Sequence, residues 1–212
     1  MMKLAIFDYN GLLVNDLPVH EQAYVELAKR HGKSFSLDDL KQLMHTPTRK
    51  KVEWIIGSPD EEKIAAALKE KQDIYINLAK KGVLFPDTRT VIESLSQKYK
   101  LAIVSNSTRY QIVEVFPKEL LEHFSVVMTY EDITKPKPAP DSILDVLTKL
   151  SLPNTEACYV GDELSDIKAG KAAQVLAIGV PSGYHSAEKL KAAGADVVIG
   201  SLSELEAVLE KH

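Results

Sequence analysis

Four short polar stretches, each following an apolar run of its own, hold the residue types from which a reactive centre can be assembled. In Phe7-Asp8-Tyr9-Asn10-Gly11 an acid follows the apolar run at once, and the glycine permits a tight turn. In Val104-Ser105-Asn106-Ser107-Thr108 a hydroxyl and an amide stand where a strand hands over to a helix. In Lys135-Pro136-Lys137-Pro138-Ala139-Pro140-Asp141 alternating prolines hold the chain extended, so that a lysine is carried on a stiff arm. In Gly161-Asp162-Glu163-Leu164-Ser165-Asp166 two carboxylates four residues apart can both point at one centre. Each stretch taken alone also has a plain structural reading: a strand-ending turn, a helix cap, a solvated linker, and a helix start whose acids complement the dipole.

The elements that position these stretches follow from hydropathy. Short runs rich in Val, Ile and Ala recur at Lys3 to Phe7, Leu101 to Ser105, Val126 to Thr129, Ala157 to Val160, Val175 to Ile178 and Asp196 to Ile199, as in strands buried on both faces. Helical patterns at Thr88 to Tyr99, Ser142 to Leu150, Ser165 to Ala173 and Ser186 to Ala193 alternate with them, which predicts a doubly wound α/β core with a parallel sheet. Such sheets place their sites just beyond the carboxyl ends of the strands, where the four polar stretches fall. The alternation breaks between about Asn15 and Leu84. Val19 to Arg30, Asp39 to Met44, Arg49 to Ile56 and Glu61 to Lys81 are helical in pattern with no strand between them. The predicted organisation is therefore a core of residues 1–14 and 85–212 with an inserted helical cap of residues 15–84, broken at Gly32, Thr46-Pro47-Thr48, Gly57-Ser58-Pro59-Asp60 and Gly82, with Ser58 or Asp60 as an N-cap.

Composition narrows the function classes. The 212 residues are 45% hydrophobic and 26% charged, which excludes a disordered, collagen-like or disulfide-rich chain. Lys and Arg total 26 against 30 Asp and Glu, and with no basic run nucleic acid is not an expected partner. The single cysteine, Cys158, sits in an apolar run and reads as an inert core residue. No apolar stretch is long enough for a membrane span and no signal-like region opens the chain, so the expected location is cytoplasmic, as a monomer or homodimer.

Together, in this order and each after its own strand, Phe7-Asp8 through Asn15-Asp16, Ser105-Asn106-Ser107, Lys137-Pro138-Ala139-Pro140-Asp141 and Gly161-Asp162 through Asp166 resemble the four motifs of the haloacid dehalogenase superfamily. The resemblance covers nearly the whole chain. It is to the branch with a small helical cap, which includes phosphoglycolate phosphatase-like enzymes and β-phosphoglucomutase. It implies that Asp8 is a nucleophile forming an aspartyl-phosphate, that Ser105 and Asn106 bind the phosphoryl group, and that Lys137 neutralises nucleophile and phosphate. It also implies Mg²⁺ held by Asp8, Asp162 and the Asn10 carbonyl, with Asp166 completing or orienting that shell. The implied partner is a small phosphorylated metabolite, such as a sugar phosphate or phosphoglycolate.

One position departs from the pattern: phosphohydrolases of this superfamily carry an aspartate two residues after the nucleophile, where this chain has Asn10. An amide can neither protonate a leaving alkoxide nor take a proton from water. The readings that follow are a Mg²⁺-dependent phosphatase with impaired turnover, a non-catalytic phosphometabolite-binding protein, a 2-haloacid dehalogenase or a phosphosugar mutase. Within the cap, Thr48-Arg49-Lys50-Lys51 resembles the loop that reads substrate in the sugar-phosphate branch, which makes Arg49 a candidate for the substrate's distal end. His20 reads first as a packing histidine and second as a hinge-side candidate.

Overall fold

The computed structural model describes residues 1–35, 39, 46–80 and 82–212. The chain divides into two compact units, one of Met1–Asn15 with Leu84–His212 and one of Asp16–Val83.

The first unit is built on a six-stranded sheet of β1 (Leu4–Phe7), β2 (Lys100–Val104), β3 (Phe124–Met128), β4 (Ala157–Gly161), β5 (Leu176–Gly179) and β6 (Val197–Val198). Its order is β3-β2-β1-β4-β5-β6, and every neighbouring pair is parallel. All six apolar runs are therefore strands of one sheet. All four residues of β1 are fully buried, as expected for a strand covered on both faces. On one face Leu4 and Ile6 join Ala157 and Tyr159 of β4 in a cluster with Ile143, Val146 and Leu147 of a helix over Asp141–Leu150. The chain winds from β1 outward to β3, then returns to β4 and winds the other way. β1 and β4 thus flank the point where strand order reverses, and open parallel sheets bind ligands in the crevice there.

The second unit contains α1 (Leu17–Arg30), α2 (Thr48–Ile56) and α3 (Glu61–Ala79). The start of α1 precedes the expected Val19 because Pro18 occupies the first turn, where a missing N–H costs nothing. Of the two predicted caps, Asp60 is the one that forms, its carboxylate accepting from the amides of Glu62 and Lys63, while the Ser58 hydroxyl accepts from Asp60 itself. Residues 40–44 of the expected helix from Asp39 to Met44, and Lys81 at the end of the last one, lie outside the described residues. Inside this unit Asp16 is fully buried, accepting a hydrogen bond from the Tyr75 hydroxyl at 2.6 Å. His20 stacks on the Tyr75 ring, faces Asp16 through Nε2 and meets the Lys71 ammonium through Nδ1 at 2.7 Å. Burial and Lys71 push its pKa down, so a neutral imidazole donates to Asp16 and accepts from Lys71.

The remaining helices belong to the first unit: α4 (Thr88–Leu95), α5 (Arg109–Val115), α6 (Lys118–Leu121), α7 (Asp141–Leu150), α8 (Leu164–Ala172), α9 (Ala187–Ala192) and α10 (Leu205–Leu209). α4 ends four residues before the expected Tyr99. α5 begins directly after the Ser105 stretch and is capped by Thr108, whose hydroxyl accepts from the Gln111 amide while the Gln111 side chain accepts from the Thr108 amide. Thr108→Ala should lower the urea midpoint by an amount equivalent to about 1 kcal/mol. An unchanged midpoint would show that tertiary packing alone fixes the start of α5.

Candidate active site

Asp8 is placed by the sheet itself. Its amide donates to the Val160 carbonyl at 2.9 Å, carrying the β1–β4 ladder one residue past β1 and leaving the side chain at the reversal point. The chain then turns sharply, with the Tyr9 carbonyl accepting from the amides of Leu13 and Val14 and Gly11 at φ 73°. A side chain at Gly11 is excluded twice, by that angle and because its Cβ would lie 2.5 Å from Oδ2 of Asp162. Asp162 follows β4 directly, and Asp166 lies in the first turn of α8.

Between β3 and α7 the proline-rich arm carries Lys137 inward, where it is buried, instead of forming a solvated linker. Its three N–H groups have three acceptors: Asp8 Oδ1 at 2.7 Å, Asp166 Oδ1 at 2.6 Å and the Tyr159 hydroxyl at 3.0 Å. The Tyr159 hydroxyl donates onward to the Val104 carbonyl at the end of β2. Oδ2 of Asp166 accepts from the amide of Glu163, the N-cap of α8, so both oxygens of Asp166 are engaged.

Ser105 is fully buried at the end of β2, its Oγ accepting from the Ser107 amide at 3.0 Å. The Ser107 hydroxyl donates to Oδ1 of Asn10 at 2.5 Å, tying the loop after β2 to the loop after β1. Asn106 is exposed on the same turn. The structure thus joins Asp8, Lys137, Asp162 and Asp166 in one cluster and links Ser105 to Asn10 through Ser107. Arg49 belongs to the helical unit, where its guanidinium pairs with Glu61 at 2.6 Å on an exposed face. Tyr159 and Ser107 receive no role from the sequence reading. The hydroxyl inside the apolar run Ala157 to Val160 signals only that a buried phenol needs a partner, not which residue supplies it.

Oxygens of Asp8, Asp162 and Asp166 lie within 4.8 Å of one another, and all three residues are buried. One ammonium faces three carboxylates. Burial above all, opposed by Lys137 and reinforced by Asp166, raises the pKa of Asp8 to about 7. Burial and the charges of Asp8 and Asp166 raise that of Asp162 well above the carboxylate range. Lys137, held between two carboxylates, stays protonated with a pKa well above that of a free lysine. Oδ1 of Asp162 is buried without a hydrogen-bond partner, a costly state for a carboxylate oxygen unless a cation faces it. An all-oxygen donor set with excess negative charge fits a hard divalent ion.

The model of haloacid dehalogenase-like hydrolases matches residues 5–180, which span the whole of this cluster. The chain belongs to that hydrolase family. Among relatives, the protein described as "Probable phosphatase IndB" of Dickeya dadantii is 28% identical over 97% of this chain and 92% of its own length. Phosphoglycolate phosphatase of Escherichia coli K12 is 29% identical over 150 residues, 69% of this chain and 60% of that protein. The β-phosphoglucomutase of Clostridium difficile superposes with a TM-score of 0.78 at 20% identity, over 100% of this chain and 97% of the other, a likeness of fold. The family's Rossmann-like core is thus the parallel sheet described above.

The raised pKa of Asp8 has a definite sign. A carboxylic acid whose folded pKa exceeds its unfolded value of about 3.9 favours folding most below that value, and the contribution is lost as pH rises through the folded pKa. Between pH 5 and pH 7 the metal-free protein should therefore lose stability relative to Asp8→Asn, which has no proton to release in that range. Urea titrations at both pH values measure this, and a pH-independent difference would refute it.

Proposed function

We propose that this hydrolase acts on a small phosphorylated metabolite through an aspartyl-phosphate on Asp8, with turnover limited by Asn10. The observation that carries the reading is Asp8 held at the sheet's reversal point by Lys137 and faced by the buried, underbonded Asp162. The names of the phosphatase relatives point the same way. Asp8, Asp162 and the Asn10 carbonyl would hold Mg²⁺, while Asp166, both of whose oxygens are engaged, would orient Lys137 and the start of α8. When bound, Mg²⁺ supplies the positive charge that lets carboxylates and a phosphate dianion share one site.

In the first half-reaction a carboxylate oxygen of Asp8 attacks phosphorus, the bond to the leaving oxygen breaks, and that oxygen needs a proton unless it is stable as an anion. In the second, water attacks the aspartyl-phosphate, gives up a proton and releases phosphate, restoring the carboxylate. Ser105 would hold the phosphoryl oxygens during both, and the Lys137 charge would offset theirs, with an N–H turned to phosphate in exchange for one of its three present acceptors. Asn10 can neither give the first proton nor take the second, and its Oδ1 already accepts from Ser107. General acid–base catalysis contributes roughly 10² to 10⁴ in rate, so the loss falls on both steps but spares phosphorylation by an activated donor. Arg49 is proposed, on the sequence resemblance, to read the substrate's distal group.

With acetyl phosphate and Mg²⁺ the protein should gain the mass of one phosphoryl group, and Asp8→Ala should abolish the gain. Asn10→Asp should raise phosphate release at least roughly a hundredfold, since an aspartate there keeps an acceptor for the Ser107 hydroxyl and adds the missing proton carrier. Inactivity of Asn10→Asp across a broad panel of phosphate esters would favour a binding protein, and halide release from a 2-haloacid without Mg²⁺ would favour a dehalogenase. In the Asn10→Asp background, Arg49→Ala should lower kcat/KM for sugar phosphates more than for p-nitrophenyl phosphate. Equal losses would remove Arg49 from recognition.

A further inference from the structure

The loop after β5, Val180 to Ser186, contributes none of the motif residues, yet three hydrogen bonds tie it to two of the segments that do. The Val180 amide donates to the Gly161 carbonyl at 2.9 Å. The Ser182 hydroxyl donates to the Gly11 carbonyl at 2.6 Å. Nε2 of His185 donates to Oε2 of Glu163 at 2.9 Å, and the His185 side chain is only 9% exposed. Glu163 is also the N-cap of α8, where its backbone carbonyl accepts from the Asp166 amide at 3.0 Å and its own amide donates to Oδ2 of Asp166.

Between the second and third of these anchors lies Gly183, whose backbone presses on Asp162 so closely that a Cβ there would overlap Oδ2 of the carboxylate. A Cβ on Gly11 would meet the same oxygen from the loop after β1. The Asp162 carboxylate therefore sits between two stretches of backbone, and the Ser182 bond to Gly11 ties those two stretches together. Since Oδ1 of Asp162 has no hydrogen-bond partner, packing by this loop has to fix where that oxygen points. Carboxylates that bind cations are ordinarily oriented by outer-shell hydrogen bonds, and the loss of such support typically weakens binding about 10- to 100-fold.

We infer that His185 is a positioning residue: by donating to Glu163 it holds the loop after β5 against Asp162 and so fixes that carboxylate for its cation. The inference rests on the metal reading above. It adds a residue outside the four motifs, and it assigns Glu163 a second task beside capping α8. A histidine that merely stabilised the loop would change thermal stability without changing cation affinity in the folded protein.

Calorimetric titration of the full chain with MgCl₂ alone separates these outcomes, at a temperature where every variant is folded by circular dichroism. Asp162→Ala should abolish the Mg²⁺ heat. His185→Ala should weaken Mg²⁺ binding roughly 10- to 100-fold, and His185→Gln, which keeps an N–H donor for Glu163, should recover most of the loss. Hydrogen exchange at the Ser182 amide, which donates to the Val180 carbonyl at 2.8 Å, should accelerate in His185→Ala. Gly183→Ala, which displaces the same carboxylate by bulk, should also lose Mg²⁺ affinity and decides the matter if His185→Ala fails to fold. Wild-type affinity in His185→Ala, or in Gly183→Ala where His185→Ala cannot be measured, with Asp162→Ala silent, would overturn the role of His185 and leave the metal reading standing. Unchanged binding in Asp162→Ala would overturn both.

Discussion

A single buried ammonium holds the site together. Lys137 spends its three protons on Asp8, Asp166 and Tyr159, which arrive from the end of β1, the first turn of α8 and the middle of β4. Tyr159 passes the connection to the end of β2. Taking a carboxylate out of water is costly unless it is paired, and here one cation serves several acids. The arrangement is internally satisfied for Lys137 and left short of positive charge for Asp8 and Asp162. Burial, with that imbalance added to it, raises the pKa of Asp8, and the imbalance makes the cluster receptive to a divalent ion.

The sheet supplies the geometry for this chemistry at little cost. Because β1 and β4 are adjacent and parallel, the residues following them emerge side by side at one edge, without any loop having to reach across the sheet. Asp8 needs only one more ladder hydrogen bond, and Asp162 only the next residue after β4. Groups on rigid strand ends are held more tightly than groups on long loops, which suits a site whose charges must be in place before a ligand arrives.

Much of this was legible in the sequence for physical reasons. Runs such as Leu4 to Phe7 and Leu101 to Val104 are apolar on both faces and alternate with amphipathic helical patterns, the combination a doubly covered parallel sheet requires, so the fold class could be read from the two together. Motif residues Asp8, Lys137, Asp162 and Asp166 follow strands and could be placed at one edge without coordinates. Tyr159 could not: a tyrosine in an apolar strand counts as core until its hydroxyl's partner is known, and that partner lies 22 residues away in the chain. The pairing of His185 with Glu163 was invisible for the same reason, since nothing local marks either residue as the other's complement. Element ends were less legible than elements, as in α4, which stops at Leu95 although helix-compatible residues continue to Tyr99.

The bridge between Val14 and Leu84 has a consequence for how this chain can change. The two residues pair antiparallel at the point where the chain leaves the sheet-bearing unit and the point where it re-enters. Everything from Asp16 to Val83 is thus a detour that begins and ends at one spot, between β1 and the five strands that follow. Thr88 reinforces the seam by donating its hydroxyl to the Leu13 carbonyl at 2.9 Å. A detour of this kind can lengthen, shorten or be exchanged without shifting the register of any strand. A change of length among the helices of the excursion therefore leaves intact the strand register that sets out the charged cluster at the sheet's carboxyl end.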